Sequence, residues 1–99
     1  MKKVIGIGET VLDIVIRGNQ PQAAVPGGST FNSMISLGRC GVQADFLSEF
    51  GDDRVGSMIK DFMTENGVSY DYVNLLKSKT PLSLAFLDEK NDAQYIFYR

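Results

Sequence analysis

Pro26-Gly27-Gly28-Ser29-Thr30-Phe31-Asn32 is the stretch of this chain whose residue types and spacing best suit chemistry. Two adjacent glycines reach backbone conformations closed to other residues and leave nothing between the chain and an approaching ligand. Ser29 or Thr30 can cap a following helix by accepting its orphan N–H groups. The residues beyond read as that helix, so the loop sets free N–H groups at a positive helix end. Asn32 lies about one turn in, within reach of the same polar ligand. A second reading is purely architectural: a strand-to-helix turn that needs glycine for geometry and a hydroxyl for a cap.

Asp13 is the other chemically loaded residue. It interrupts the apolar run Val11–Arg17, where Leu12, Ile14 and Ile16 share one face and Val11, Asp13, Val15 and Arg17 the other. A carboxylate in that position either meets solvent or serves a polar pocket. Gly6-Ile7-Gly8 follows a first strand and invites comparison with a dinucleotide fingerprint. The third glycine of that motif falls on Val11 and no helix start follows, so the motif fails. No Gly-Lys-Ser/Thr follows a glycine-rich turn either, which excludes a Walker loop.

Composition narrows the field. Ten basic and twelve acidic residues leave a net charge of −2, and the nearest basic groupings are only Lys2-Lys3 and Lys77 with Lys79. Nucleic acid has no electrostatic footprint on which to bind. Histidine is absent, which removes Ser-His-Asp and Cys-His catalysis and any histidine metal site. Cys40 is the single cysteine and reads as a small buried hydrophobe after a helix. The N-terminus carries no long apolar run, so no membrane span or leader is expected, and the reading is a reduced, cytoplasmic, soluble protein.

The elements that position these residues alternate. Val4–Gly8 reads as a strand buried on both faces, Val11–Arg17 as a second, and Ala23–Val25 as a short third after the Gly18–Gln22 turn. The helix after Gly28 buries Phe31, Met34, Ile35 and Leu37 and stops near Gly41. Val42–Phe50 reads as one strand. Asp52 or Asp53 caps a second helix with Val55, Met58, Ile59, Phe62 and Met63 on its buried side, ended by Asn66-Gly67. Extended chain follows through Leu76, and Leu82–Leu87 and Gln94–Tyr98 pair across a polar loop. This order implies an α/β sheet with crossover helices and some additional strands. Ending on an aromatic strand at Arg99, the sheet reads as unfinished.

The ordered set of Gly8-Glu9 with Asp13, Pro26-Gly27-Gly28 with Asn32, Gly38 and Gly41, and Phe50-Gly51-Asp52-Asp53 with Gly56 resembles the N-terminal part of the ribokinase-like, or PfkB, family of sugar kinases. Fructokinases and 2-keto-3-deoxygluconate kinases are the nearest in flavour, and the likeness covers essentially the whole chain. It implies a ribokinase-like α/β fold: a Rossmann-type sheet with helices plus a small β lid, incomplete at the C-terminus. Residues 1–99 would form the N-terminal part of a single domain, with lid strands at about 11–25 and within 82–98.

The resemblance further implies an ATP-dependent kinase that phosphorylates a sugar hydroxyl. Asp13 would accept hydrogen bonds from the sugar, Gly27 and Gly28 would lie against it, and Asn32 would donate and accept. Arg99 would either contact a hydroxyl or acid group or stand in solvent. Gly51, Asp52 and Gly56 match a turn with a structural role. The family's catalytic aspartate, in a Gly-Ala-Gly-Asp-like segment, and its ATP contacts lie far downstream. The 99 residues are therefore expected to be inactive alone, with no catalytic or metal-binding residue and no bound cofactor; ATP and Mg2+ belong to the parent enzyme. The partners implied are a small sugar and a second copy paired through the lid strands, with no nucleic acid and no membrane. The competing class is a non-catalytic module that binds a small polyol or oligomerises.

Overall fold

The computed structural model describes residues 3–99. The chain runs β1 (Lys3–Ile7), β2 (Val11–Arg17), β3 (Gln20–Gly27), α1 (Ser29–Arg39), β4 (Gln43–Leu47), β5 (Glu49–Gly51), α2 (Arg54–Glu65), β6 (Val68–Ser69), β7 (Asn74–Leu76), β8 (Leu82–Leu87) and β9 (Ala93–Tyr98). The strands form three sheets, ordered β1-β4-β6, β3-β2-β8-β9 and β5-β7.

The first sheet is parallel, with Lys3 opposite Gln43 through Ile7 opposite Leu47, and Ala44 opposite Val68. Parallel neighbours need long crossovers, which the segments containing α1 and α2 supply. The core forms where these helices meet the sheet. Phe31, Met34 and Ile35 of α1 pack with Ile59 and Met63 of α2 against Ala44, Phe46, Phe50 and Val68. Phe31 meets Phe46 edge-on at 5.8 Å and stacks on Phe62 at 6.1 Å, the offset geometries that aromatic quadrupoles favour.

At β1 this sheet is covered on one face only. Ile5 and Ile7, on the opposite side of the pleat from Val4 and Gly6, are 55% and 74% exposed. The expectation of a first strand buried on both faces is corrected accordingly. On that same open face Lys3 Nζ stands 2.7 Å from Asp45 Oδ2. The buried oxygen has no well-aligned hydrogen-bond donor, so the ion pair is what compensates its burial. The Asp45 carboxylate, first as acceptor and then as charge, with Tyr72 beyond it, raises the Lys3 pKa.

The second sheet is a separate four-stranded layer. A two-residue turn joins β2 to β3, with Gly18 and Asn19 both at positive φ (56° and 61°), the hairpin geometry that matches strand twist. The third strand is longer than Ala23–Val25 and absorbs Pro26 and Gly27. β8 lies parallel to β2, and β9 returns antiparallel along its far edge.

Other expectations shift. Val42–Phe50 is two strands, broken at Ser48, because β5 leaves the first sheet to pair with β7. The break is fixed by a buried 2.8 Å hydrogen bond between the Ser48 and Thr10 hydroxyls and by Asn74 N–H donating to Ser48 O at 2.9 Å. Most of Tyr70–Val73 is a turn rather than extended chain, closed by Val73 N–H donating to Tyr70 O. Cys40 is exposed, at the C-terminal cap of α1. Met58 is 40% exposed, not a core filler. Among the described residues no helix is long and apolar enough to cross a membrane.

Candidate functional site

Asp13 sits at the centre of a row that crosses the whole second sheet. The registers place Val25, Asp13, Ser83 and Phe97 side by side on β3, β2, β8 and β9. Neighbours in register share a face, so a carboxylate, a hydroxyl and an aromatic ring stand together. Ser83 is fully buried, and its hydroxyl donates to Asp13 Oδ1. Asp13 Oδ2 is turned toward Gly27, where a Cβ would overlap it. Asp13 is half-buried and engaged, not a solvated charge on an open face.

Gly28 begins α1 at φ 125°, a conformation that L side chains rarely adopt, and a Cβ there would strike Glu9 O. No side chain caps this helix, and its first turn holds no acidic residue. Ser29 and Thr30 lie inside the helix instead of at its cap, which corrects the expected hydroxyl cap. Asn32 is in the first turn; its N–H donates to Gly28 O at 2.9 Å while its side chain is exposed.

Arg99 is 57% exposed but not free in solvent. It forms an ion pair with Glu9, and its guanidinium lies 5.4 Å from the Phe97 ring centre. Glu9 thus joins two of the sequence-derived residues, with its carboxylate on Arg99 and its carbonyl against Gly28. A cleft of about 900 Å3 opens beside this pair, with Ile7, Gly8, Ser48 and Tyr72 in its walls. Of the five residues singled out by sequence, Arg99 lines this cleft, whereas Asp13, Gly27, Gly28 and Asn32 do not. Asp13 and Gly27 are in direct apposition, and Gly28 and Asn32 follow at the start of α1.

Ser83 and Glu9 were not among the residues singled out. Ser83 carries the same signal as Asp13, a polar residue inside the apolar run Leu82–Leu87. Glu9 was visible within Gly8-Glu9, but its partner is 90 positions away and only the fold pairs them.

The second glycine-bearing turn is internally complete. Asp53 is the N-cap of α2: its Oδ1 accepts from Gly56 N–H and from the Thr80 hydroxyl, each at 2.8 Å, and its Oδ2 accepts from Thr80 N–H at 2.9 Å. Burial pushes the Asp53 carboxyl up, but hydrogen bonds from Thr80 N–H, Gly56 N–H, the Thr80 hydroxyl and Val55 N–H outweigh it. The net result is a pKa below the usual carboxylate value. Among the described residues no group of three or more His, Cys, Asp or Glu side chains is placed to hold a metal ion.

The chain thus combines a three-stranded parallel sheet with crossover helices, a separate four-stranded sheet and a glycine-bearing turn leading from the second sheet into α1. The family model described as pfkB family carbohydrate kinase matches residues 1–99, and the chain belongs to that family. It is 29% identical to the probable fructokinase-4 of Arabidopsis thaliana over 97% of this chain and 32% of that protein. The crystal structure of fructokinase with bound ATP from Xylella fastidiosa matches with a TM-score of 0.83 at 25% identity, over 99% of this chain and 33% of that one. A Thermotoga maritima 2-dehydro-3-deoxygluconokinase shares the fold with a TM-score of 0.88 at 19% identity, over 100% of this chain and 32% of that one. The chain thus spans about a third of the length of the relatives it matches.

Proposed function

We propose that this chain is the sugar-binding part of an ATP-dependent carbohydrate kinase that phosphorylates a sugar hydroxyl. The observation that carries the reading is the Asp13 carboxylate, held by Ser83 on one oxygen and opposed on the other by a glycine that offers no side chain. An ionised carboxylate is acceptor-only and suits sugar hydroxyls, which donate to it strongly. Gly27 and Gly28 bring backbone close to the sugar ring, the uncapped N–H groups of α1 supply donors, and the Asn32 amide donates and accepts. Arg99, already paired with Glu9, contributes a fork of donors at the rim.

ATP and its Mg2+ supply the phosphoryl group and neutralise its charge. The base that takes the hydroxyl proton and the groups that hold the nucleotide are assigned to sequence outside these residues. Positioning and charge stabilisation dominate phosphoryl transfer, so the 99 residues alone are expected to give no turnover. The same proposal includes a cytoplasmic location and a homodimer through the strands of the second sheet. β9 supports the dimer: Ile96 and Tyr98 are exposed on one face of this edge strand and Tyr95 and Phe97 on the other. Sedimentation of the intact protein checks it; a strict monomer at high concentration removes the dimer.

Calorimetric titration of the intact protein with D-fructose, D-ribose and 2-keto-3-deoxygluconate tests the function. Binding of one of these, weakened at least about tenfold by Asp13→Ala, is the expected result. Undiminished affinity in that variant, or turnover by the isolated 99-residue chain, overturns the reading.

A further inference from the structure

The geometry points to Ser83 as the positioning residue of the sugar-recognising carboxylate, an inference that rests on the reading of Asp13 above. A carboxyl group turns about its last torsion with only broad preferences, so its oxygens are not fixed by the strand that bears it. Two neighbours fix them here. On β8, the strand parallel to β2, Ser83 is the register partner of Asp13 and donates its hydroxyl proton to Oδ1. On β3, Gly27 leaves room for Oδ2 where a Cβ would overlap it.

Burial makes the first of these contacts hard to replace. Ser83 has 0% exposure, so no bulk water reaches its side chain to take over as donor. A hydroxyl has one proton to give, and this one goes to Asp13. Ser83 thereby orients the carboxylate, leaving Oδ2 as the oxygen offered to a sugar hydroxyl. It touches no substrate itself. The anchor and the recognising group lie 70 positions apart and meet because β2 and β8 pair in parallel.

Ser83→Ala removes one oxygen and keeps the packing volume nearly unchanged, so a folded variant is expected. The experiment is a double-mutant cycle in the intact protein, titrated calorimetrically with whichever of D-fructose, D-ribose and 2-keto-3-deoxygluconate binds. Ser83→Ala is expected to weaken binding about tenfold when Asp13 is present and to have less than about a twofold effect in the Asp13→Ala background. A residue with a merely structural role would shift both backgrounds equally. Unchanged affinity in Ser83→Ala, or an equal loss in both backgrounds, overturns the assignment while leaving Asp13 as the sugar ligand. Unchanged affinity in Asp13→Ala alone defeats the functional reading first, and the role of Ser83 falls with it.

Discussion

Two glycine-bearing turns carry a strand into a helix in this molecule, and they start their helices by opposite means. At Gly51–Asp53 the chain satisfies itself: the Asp53 carboxylate takes the Gly56 N–H, the Thr80 N–H and the Thr80 hydroxyl, while Gly51 N–H donates to Thr80 Oγ1 at 2.9 Å. At Gly27–Ser29 no side chain caps the helix. Orphan N–H groups at a helix start need a side chain, water or a ligand as partner. One turn has spent its polar groups on the fold, and the other has kept them in reserve. A glycine-bearing turn before a helix does not by itself mean a binding loop; these two turns differ in whether a nearby side chain has closed the helix end.

The largest expected effect comes from opening the closed turn. Asp53→Ala removes the cap, worth about 1 kcal/mol, and leaves the N–H of buried Thr80 without its acceptor, worth about 1–3 kcal/mol more. A loss of about 2–4 kcal/mol in urea unfolding is expected, with sugar affinity of the folded protein unchanged. The acid limb carries the same signature. Because the folded-state pKa of Asp53 is depressed, its contribution is complete above the unfolded value of about 3.9 and disappears as pH falls through the folded value. The stability gap between wild type and Asp53→Asn should therefore be constant near neutrality and close below about pH 4. Lost sugar affinity without lost stability would reverse the roles of the two turns.

The open turn should respond in the opposite sense. Gly27 does not sit in the left-handed region, so Gly27→Ala carries no backbone strain and its methyl meets chiefly the Asp13 carboxylate. The carboxylate must swing away. Binding in the calorimeter is expected to fall roughly tenfold to a hundredfold, with about 1 kcal/mol or less of stability lost. A variant that unfolds but binds normally when folded would make Gly27 a packing glycine and erase the contrast.

Local signals were readable in the sequence, and long-range closures were not. Asp13 showed itself as a charge in an alternating strand, and the α2 stripe and its Asn66-Gly67 stop followed from helical spacing. The choice between Asp52 and Asp53 as cap needed Thr80, 27 positions on, and Ser83 became meaningful only when β8 was laid beside β2. Met58 fitted the apolar spacing but is exposed because Gly56, without a side chain to betray it, is buried. At about 100° per residue Met58 lies some 200° round from that position, off the covered arc. The Ser48 break depended on a hydroxyl from Thr10 in another segment, so no strand pattern announced it. The separation of the strands into three sheets belongs with these closures, because pairing is a property of partners.

The smallest effect gives the finest test of the contrast. Ser29 has the chemistry of a cap, yet it lies in the first turn of α1 with an exposed side chain, and the cap position belongs to Gly28. Its carbonyl, not its hydroxyl, is engaged, accepting from the Ser33 hydroxyl at 3.3 Å. A substitution that keeps the backbone keeps that contact. Ser29→Ala should thus move stability by less than about 0.5 kcal/mol, with alanine's helix propensity acting in its favour. A loss near 1 kcal/mol in urea unfolding would mean that the hydroxyl closes the helix after all, and that the two turns are built alike. A loss of sugar affinity with stability intact would instead make Ser29 one of the donors that this open helix end presents to its ligand.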